Sequence, residues 1–218
     1  MQILVIGNTS NLDELKQKVG PNHNYILSET EADISELIQV VELVFDFAPN
    51  KKLIKSRYSH FCKPVFFNTS LVTLSELIDE LEPSKRDSFF GFCGLPTFVN
   101  RSVLEVSLSS GKSEARLKSI CLQLQTDFVC VDDRVGLVTP RVICMVINEA
   151  YYALEESIAT RDDIDLAMKL GTNYPFGPFE WAKKIGICNV IGLLEVVYLD
   201  TDDARYKVCE LLRTDSID

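Results

Sequence analysis

Histidine is almost missing from this chain of 218 residues, with His23 and His60 the two present. A zinc centre needs several His or Cys at ligand spacing, and no further ligands gather around His60 and Cys62. None of the seven cysteines stands in C-x-x-C spacing; an odd count in mostly apolar surroundings reads as reduced core thiols of a cytoplasmic protein. Basic charge is also short. The 22 Lys and Arg against 32 Asp and Glu leave a formal charge of −10, which argues against the basic face of a nucleic-acid binder. The same balance offers an anionic ligand nothing, so such a site would depend on local lysines or helix N-termini. No apolar run approaches the roughly 20 residues of a membrane helix. Met1 leads almost directly into Ile3-Leu4-Val5-Ile6-Gly7, with no basic segment or cleavage site expected of a secretory signal.

What is present is an ordinary globular composition, 46% apolar and 25% charged. Ile3 to Gly7 is a short continuous apolar run ending in glycine, as in the first buried strand of a βαβ unit. Helical segments are expected at Leu12–Val19, Ile34–Val41, Lys51–Phe61, Leu71–Leu81 and Ser113–Gln125. Strands are expected at Tyr25–Leu27, Val44–Phe47, Pro64–Phe67, Val103–Ser107 and Phe128–Val131. Phe89 to Thr97 is a glycine-punctuated apolar stretch. Strands alternating with helices predict a parallel sheet. Asp132-Asp133-Arg134 closes this part, giving a first domain at 1–134 and a helical domain at 135–218.

In the helical part Val142, Ile143, Val146, Ile147, Ala150, Tyr151 and Leu154 recur at i, i+3, i+4, i+7, predicting a helix over Arg141–Glu156 with one buried stripe. Thr160 stands three residues before Asp163 as a capping pair, and Gly171 is the expected left-handed stop of the helix it starts. Pro178 is placed to be the first residue of the next helix. Val190–Tyr198 and Ala204–Leu212 read as two more.

The stretch EAYYALEESIATRDDIDLAMKLGTNYPFGPFEWAKKIG, Glu149 to Gly186, resembles the C-terminal helical domain of the 3-hydroxyacyl-CoA dehydrogenases, including 3-hydroxybutyryl-CoA dehydrogenases. The resemblance extends more loosely to the first domain through Asn68-Thr69-Ser70 and Val103-Leu104-Glu105-Val106. It implies an α/β Rossmann-like parallel-sheet domain followed by an all-α domain of the 6-phosphogluconate dehydrogenase C-terminal type. It further implies NAD as cofactor, an acyl-CoA as ligand, and a homodimer formed through the helical domain. The segment between the second strand and Asp46 is much shorter than the family's, which implies that a coenzyme-A-facing helical insertion is missing. The chain also stops without the family's closing glycine-aromatic segment.

Laid on this chain, the family's cofactor contacts fall on Gly7, Thr9, Glu29, Asp46 and Asn68. The G-x-G-x-x-G fingerprint keeps only its first glycine: Thr9 replaces the second and Leu12 the third, while Ser10 or Asn11 could simply cap the helix. Glu29 stands 22 positions after Gly7, near the distance of a ribose-binding acid, and is equally what a solvated surface carries. Of the catalytic roles, the orienting glutamate falls on Glu105 and the serine on Ser70. The histidine base falls on Cys93, and the asparagine on Pro140. Ser70 also reads as a helix cap, Glu105 as a strand-edge acid, and Cys93 as core filler or as a thiolate standing in for the base. Two readings follow: a divergent, NAD-dependent 3-hydroxyacyl-CoA dehydrogenase of weak or lost activity, and a non-catalytic homologue acting as a dimeric binding or assembly protein.

Overall fold

The computed structural model describes residues 1–30 and 34–216. Within the unit Met1–Leu137, the strands are β1 (Gln2–Ile6), β2 (Asn24–Ser28), β3 (Leu43–Asp46), β4 (Val65–Asn68), β5 (Phe89–Phe92), β6 (Val103–Leu108) and β7 (Asp127–Val131). They form one sheet in the order β2-β1-β3-β4-β5-β6-β7. Between them run α1 (Thr9–Val19), α2 (Ile34–Val40), α3 (Lys51–Tyr58), α4 (Leu74–Leu77) and α5 (Ser113–Gln123).

Strand periodicity explains why the central runs are apolar throughout. Ile3, Val5, Phe45, Phe66, Phe90 and Phe92 point to one face, where Leu15 and Val19 of α1 and Leu117 and Ile120 of α5 cover them. Leu4, Ile6, Val44, Val65, Phe67 and Phe89 point to the other, beneath Ile34 and Ile38 of α2, Ile54 and Tyr58 of α3, and Leu74 and Leu77 of α4. Phe45 stacks on Phe66 at 4.8 Å between ring centroids, and Phe92 meets Phe45 edge-on at 5.5 Å.

The sheet is not parallel throughout. Strands β1 to β5 are parallel, but β6 pairs antiparallel with β5, and β7 follows β6. The reason lies in the connection after β5, an irregular loop with no crossover helix, so the chain must return in the opposite direction. The helix expected over Leu71–Leu81 shrinks to the four residues of α4. Thr73 caps its start, and Asp133 after β7 accepts from Leu74 N and Ser75 N, each at 2.7 Å, so residues 71–73 stay outside it. Three cysteines, Cys62, Cys130 and Cys188, are exposed rather than core residues.

The unit Val138–Asp218 contains α6 (Thr139–Glu155), α7 (Arg161–Thr172), α8 (Pro178–Ile185), α9 (Ile187–Thr201) and α10 (Glu210–Thr214). Ile143, Ile147, Ala150 and Tyr151 form the buried stripe of α6; Val142, expected within it, is 52% exposed. Thr160 caps α7 as its spacing predicts. The helix runs through Gly171, however, and stops at Asn173, which takes the left-handed conformation (φ 57°) that an Asn side chain tolerates. The helix expected over Ala204–Leu212 is broken into a 3-10 turn at Ala204–Tyr206 and α10. The buried Asn148 of α6 causes the break. Its amide donates to Lys207 O at 2.8 Å and accepts from Cys209 N at 2.9 Å, claiming the backbone groups a continuous helix would use.

Asp165 is the buried polar anchor of α7. Its two carboxylate oxygens accept from Phe179 N at 2.8 Å and Glu180 N at 3.1 Å, capping α8 from a neighbouring helix. Gly177 gives it room, since a Cβ there would collide with the Asp165 carboxylate. Glu180 turns back to Gly177 N at 3.1 Å and pairs with Lys169 at 2.8 Å. The DDID and GPFE motifs are therefore two halves of one clamp. Asp165→Ala is expected to cost about 2–3 kcal/mol, the loss of two charge-assisted bonds to backbone N–H groups, with Asp165→Asn costing less. Urea melts read it, and a loss under about 0.5 kcal/mol for the alanine variant would remove the clamp from the fold's support.

Candidate functional site

Ligands of open α/β sheets lie beyond the carboxyl ends of the parallel strands. Three of the residues singled out from the sequence, Asn68, Ser70 and Cys93, fall at or near this edge around a single carboxamide. Asn68, ending β4, donates from Nδ2 to Phe47 O at 3.1 Å. Its Oδ1 accepts from Ser70 N at 3.2 Å, Ser70 Oγ at 2.6 Å and Gly94 N at 2.9 Å. Gly94 must be a glycine here, because a Cβ would lie 2.8 Å from Asn68 Cγ and 3.0 Å from the Phe47 ring. Asn68 therefore ties together the ends of β3, β4 and β5. Ser70 is fully buried and is not a helix cap, a role Thr73 takes; its Oγ also reaches Cys93 Sγ at 3.4 Å.

Cys93 is 4% exposed. Burial pushes its thiol from an ordinary 9.0 up to about 12, opposed by hydrogen bonds from Ser70 and the Leu95 backbone and reinforced by the charges of Glu105 and Glu14. Glu105, half-buried on β6, acts electrostatically on this thiol and on Arg101. Burial lowers the Arg101 pKa, and Glu105 opposes that fall. Arg101 lies over the Phe98 ring at 4.9 Å. So Ser70 and Cys93 meet directly, while Glu105 acts on the thiol and on Arg101 through its charge.

The loop from Gly94 to Ser102 is fixed to α1 by side chains that the sequence reading passed over. Glu14 accepts from Val99 N at 3.0 Å and Asn100 N at 3.2 Å, Gln17 accepts from Asn100 at 2.7 Å, and Lys18 donates to Arg101 O and Ser102 O. Thr97 within it has φ 75°, costly for a β-branched residue and held by these bonds. Their signal in the sequence is weak: three polar residues on one helix face ordinarily mean solvent.

At the other end of the edge, α1 begins one residue after Gly7 and Asn8. The cap is Asn8, not Ser10 or Asn11. Asn11 N donates to Asn8 Oδ1 at 3.0 Å, and Asn8 N to Asn11 Oδ1 at 2.9 Å. A Cβ on Gly7 would lie 2.6 Å from Asn11 Oδ1, so this amide stands over the glycine. Thr9 Oγ1 donates to Glu29 Oε1 at 3.3 Å. The space and donors that a pyrophosphate would use are taken by side chains of the chain itself, and these residues do not fit NAD in the manner the fingerprint implies. Asp46 does not face a cofactor either. Its carboxylate is 0% exposed, accepts from Tyr58 Oη at 3.0 Å and Ala48 N at 3.2 Å, and lies 3.5 Å from Arg57 Nη1. Burial, then the Asp46 charge, holds the Tyr58 phenol well above its ordinary pKa, so it remains the donor.

Neither histidine reaches this edge. His23 lies beside the Met1 amino group at 3.5 Å, where β1 begins, and His60 follows α3 on the way to the start of β4. Pro140, on which the resemblance lays the family's asparagine, is a buried residue in the first turn of α6 with no polar side chain to offer. Among the described residues no group of three or more His, Cys, Asp or Glu could hold a metal ion, and no helix is long and apolar enough to cross a membrane.

Comparison with known proteins agrees with this architecture. Residues 136–215 match the family described as 3-hydroxyacyl-CoA dehydrogenase, C-terminal domain. The 3-hydroxyadipyl-CoA dehydrogenase of Escherichia coli K12 is 41% identical over 83 residues, 38% of this chain but only 18% of that protein. A probable 3-hydroxybutyryl-CoA dehydrogenase of Bacillus subtilis is 27% identical over 191 residues, 86% of this chain and 67% of that protein. The chain thus spans less than a fifth of the first relative and about two thirds of the second. The crystal structure of an (S)-3-hydroxybutyryl-CoA dehydrogenase from Ralstonia eutropha shares the fold, with a TM-score of 0.74 at 22% identity over 98% of this chain and 92% of that one. With the clamp of α7 and α8 inside the matched segment, residues 136–215 belong to the 3-hydroxyacyl-CoA dehydrogenase C-terminal domain family, and the chain as a whole is similar to 3-hydroxybutyryl-CoA dehydrogenases and shares their fold.

Proposed function

We propose that this protein does not oxidise a 3-hydroxyacyl-CoA and serves as a dimeric, non-catalytic binding or assembly protein of the cytoplasm. One observation carries the reading: Cys93, at or near which the resemblance puts the base, is buried, with its thiol pushed up to about 12. Oxidation of an alcohol needs a base to take the hydroxyl proton as the hydride leaves. At pH 7 such a thiol is ionised on the order of one part in 10⁵. Ser70 cannot assist, because its proton is directed at Asn68 Oδ1 or Cys93. An acyl-CoA would then be held rather than turned over. The seven free cysteines suit a reducing compartment.

The other reading, a weak NAD-dependent dehydrogenase, draws support from Glu105, which is half-buried on β6 and acts through its charge on Cys93. The two part on a simple assay. NADH formation from short-chain 3-hydroxyacyl-CoA is expected to stay at the blank, and sustained turnover would reverse the reading. Cys93 is also expected to resist iodoacetamide at pH 8 in the folded protein while Cys62, Cys130 and Cys188 are modified. Its alkylation at their rate would mean an accessible thiolate. The sign of the shift sets the pH dependence: a thiol raised from 9.0 toward 12 contributes stability below pH 9 that is lost as pH climbs to 12. Relative to Cys93→Ala, the wild type should therefore lose stability over that window.

The dimer part rests on α7, whose Leu166 and Leu170 are 53% and 78% exposed on a helix with a single buried residue, Asp165. An apolar face left uncovered on one copy suits a second copy. Light scattering is expected to give a dimer for the wild type and a monomer for the double variant Leu166→Glu/Leu170→Glu. A wild-type monomer at high concentration would end this part of the reading.

A further inference from the structure

We propose that the turn from β1 into α1 carries an internal substitute for a dinucleotide, with Asn11 in the place of the pyrophosphate and Thr9 in that of a ribose hydroxyl, so that this unit does not take NAD. The inference is independent of the base at Cys93, since a chain without a base could still bind the cofactor.

A helix N-terminus draws an anion because its first N–H groups have no acceptors within the helix. In α1 the Asn8 and Asn11 side chains reciprocally satisfy two of those donors, Asn8 N at 2.9 Å and Asn11 N at 3.0 Å. This is the arrangement of a capping box, built from two amides instead of a hydroxyl and a carboxylate. The Asn11 carboxamide that closes it also stands 2.6 Å from where a Cβ on Gly7 would be, covering the one glycine of the fingerprint that remains. Phe47 adds to the crowding, with its Cβ 3.1 Å from the same point.

Thr9 completes the substitution. A side chain at this position already crowds a phosphate, and its hydroxyl donates to Glu29 Oε1 at 3.3 Å, the acid placed to receive a ribose hydroxyl. Charge works in the same direction. Residues 8–12 carry none, so a pyrophosphate would have to displace two amide bonds on a chain of net charge −10 without a local cation in return.

Titration of NAD+ against wild type, Thr9→Gly/Asn11→Gly and Asn11→Asp, followed by calorimetry and by thermal melting, tests this. The wild type should show no heat and no shift in melting temperature at low-millimolar NAD+. The double variant, stripped of its cap, should melt lower alone and gain about 3 °C with NAD+ near ten times its dissociation constant. Asn11→Asp keeps an acceptor for Asn8 N–H and should stay unresponsive. If the double variant fails to fold by circular dichroism, Asn11→Gly alone carries the same expectation. Binding by the wild type, or a folded glycine variant that ignores NAD+, overturns the proposal.

Discussion

The carboxyl edge of the sheet hangs on the Asn68 carboxamide. Four hydrogen bonds at its two polar atoms join the end of β3 to Ser70 and to Gly94, the residue after Cys93. Each is worth about 1 kcal/mol net, but leaving the partners unpaired costs more, about 1–3 kcal/mol per buried group. Gly94 can approach only because it lacks a Cβ, and Ser70 O in turn holds Gly136 N at 3.0 Å. Asn68 thereby sets where the loop after Cys93 begins, and Glu14, Gln17 and Lys18 of α1 hold its far end.

A polar group fully engaged by the fold is not available to a ligand, and that condition recurs across the site. Asn68 Oδ1 already accepts three donors, and the Ser70 hydroxyl points at Asn68 and Cys93. Asp46 is enclosed by Tyr58, Ala48 and Arg57, while Thr9 and Glu29 are bonded to each other. The same residue types that a dehydrogenase would turn outward are here turned toward one another. Glu105 differs: it is half-buried, and its charge works against ionisation of the Cys93 thiol and supports the charge of Arg101.

Much of the architecture could be read from the residues alone, because it rests on local signals. Continuous apolar runs marked β1, β3 and β4, which are buried on both faces, and Thr160 and Pro178 marked the starts of α7 and α8. Failures came where distant groups decided the outcome. Asp133 and Thr73 fix the start of α4 at Leu74, and Asn148 interrupts the segment after Ala204, neither of which periodicity can register. In the site, the losses at Thr9, Cys93 and Pro140 were visible as substitutions. What fills the vacated roles was legible only in part: Asn11 reads as a helix cap, but that Asn8 is the N-cap and that the two amides pair across the helix start is seen only in the fold.

The segment that carries the family likeness does so for reasons of folding. Asp165, Gly177, Pro178 and Glu180 are held together because a buried carboxylate caps α8 from α7, which only a glycine at 177 permits. None of those contacts involves the residues expected to move a proton or hold a cofactor, all of which but Pro140 lie in the first unit. The clamp's contacts run among Asp165, Lys169, Gly177, Phe179 and Glu180 and call on no side chain at position 93. Separate physical demands in the two units account for a chain whose C-terminal domain matches dehydrogenases closely while its first unit turns its polar groups inward.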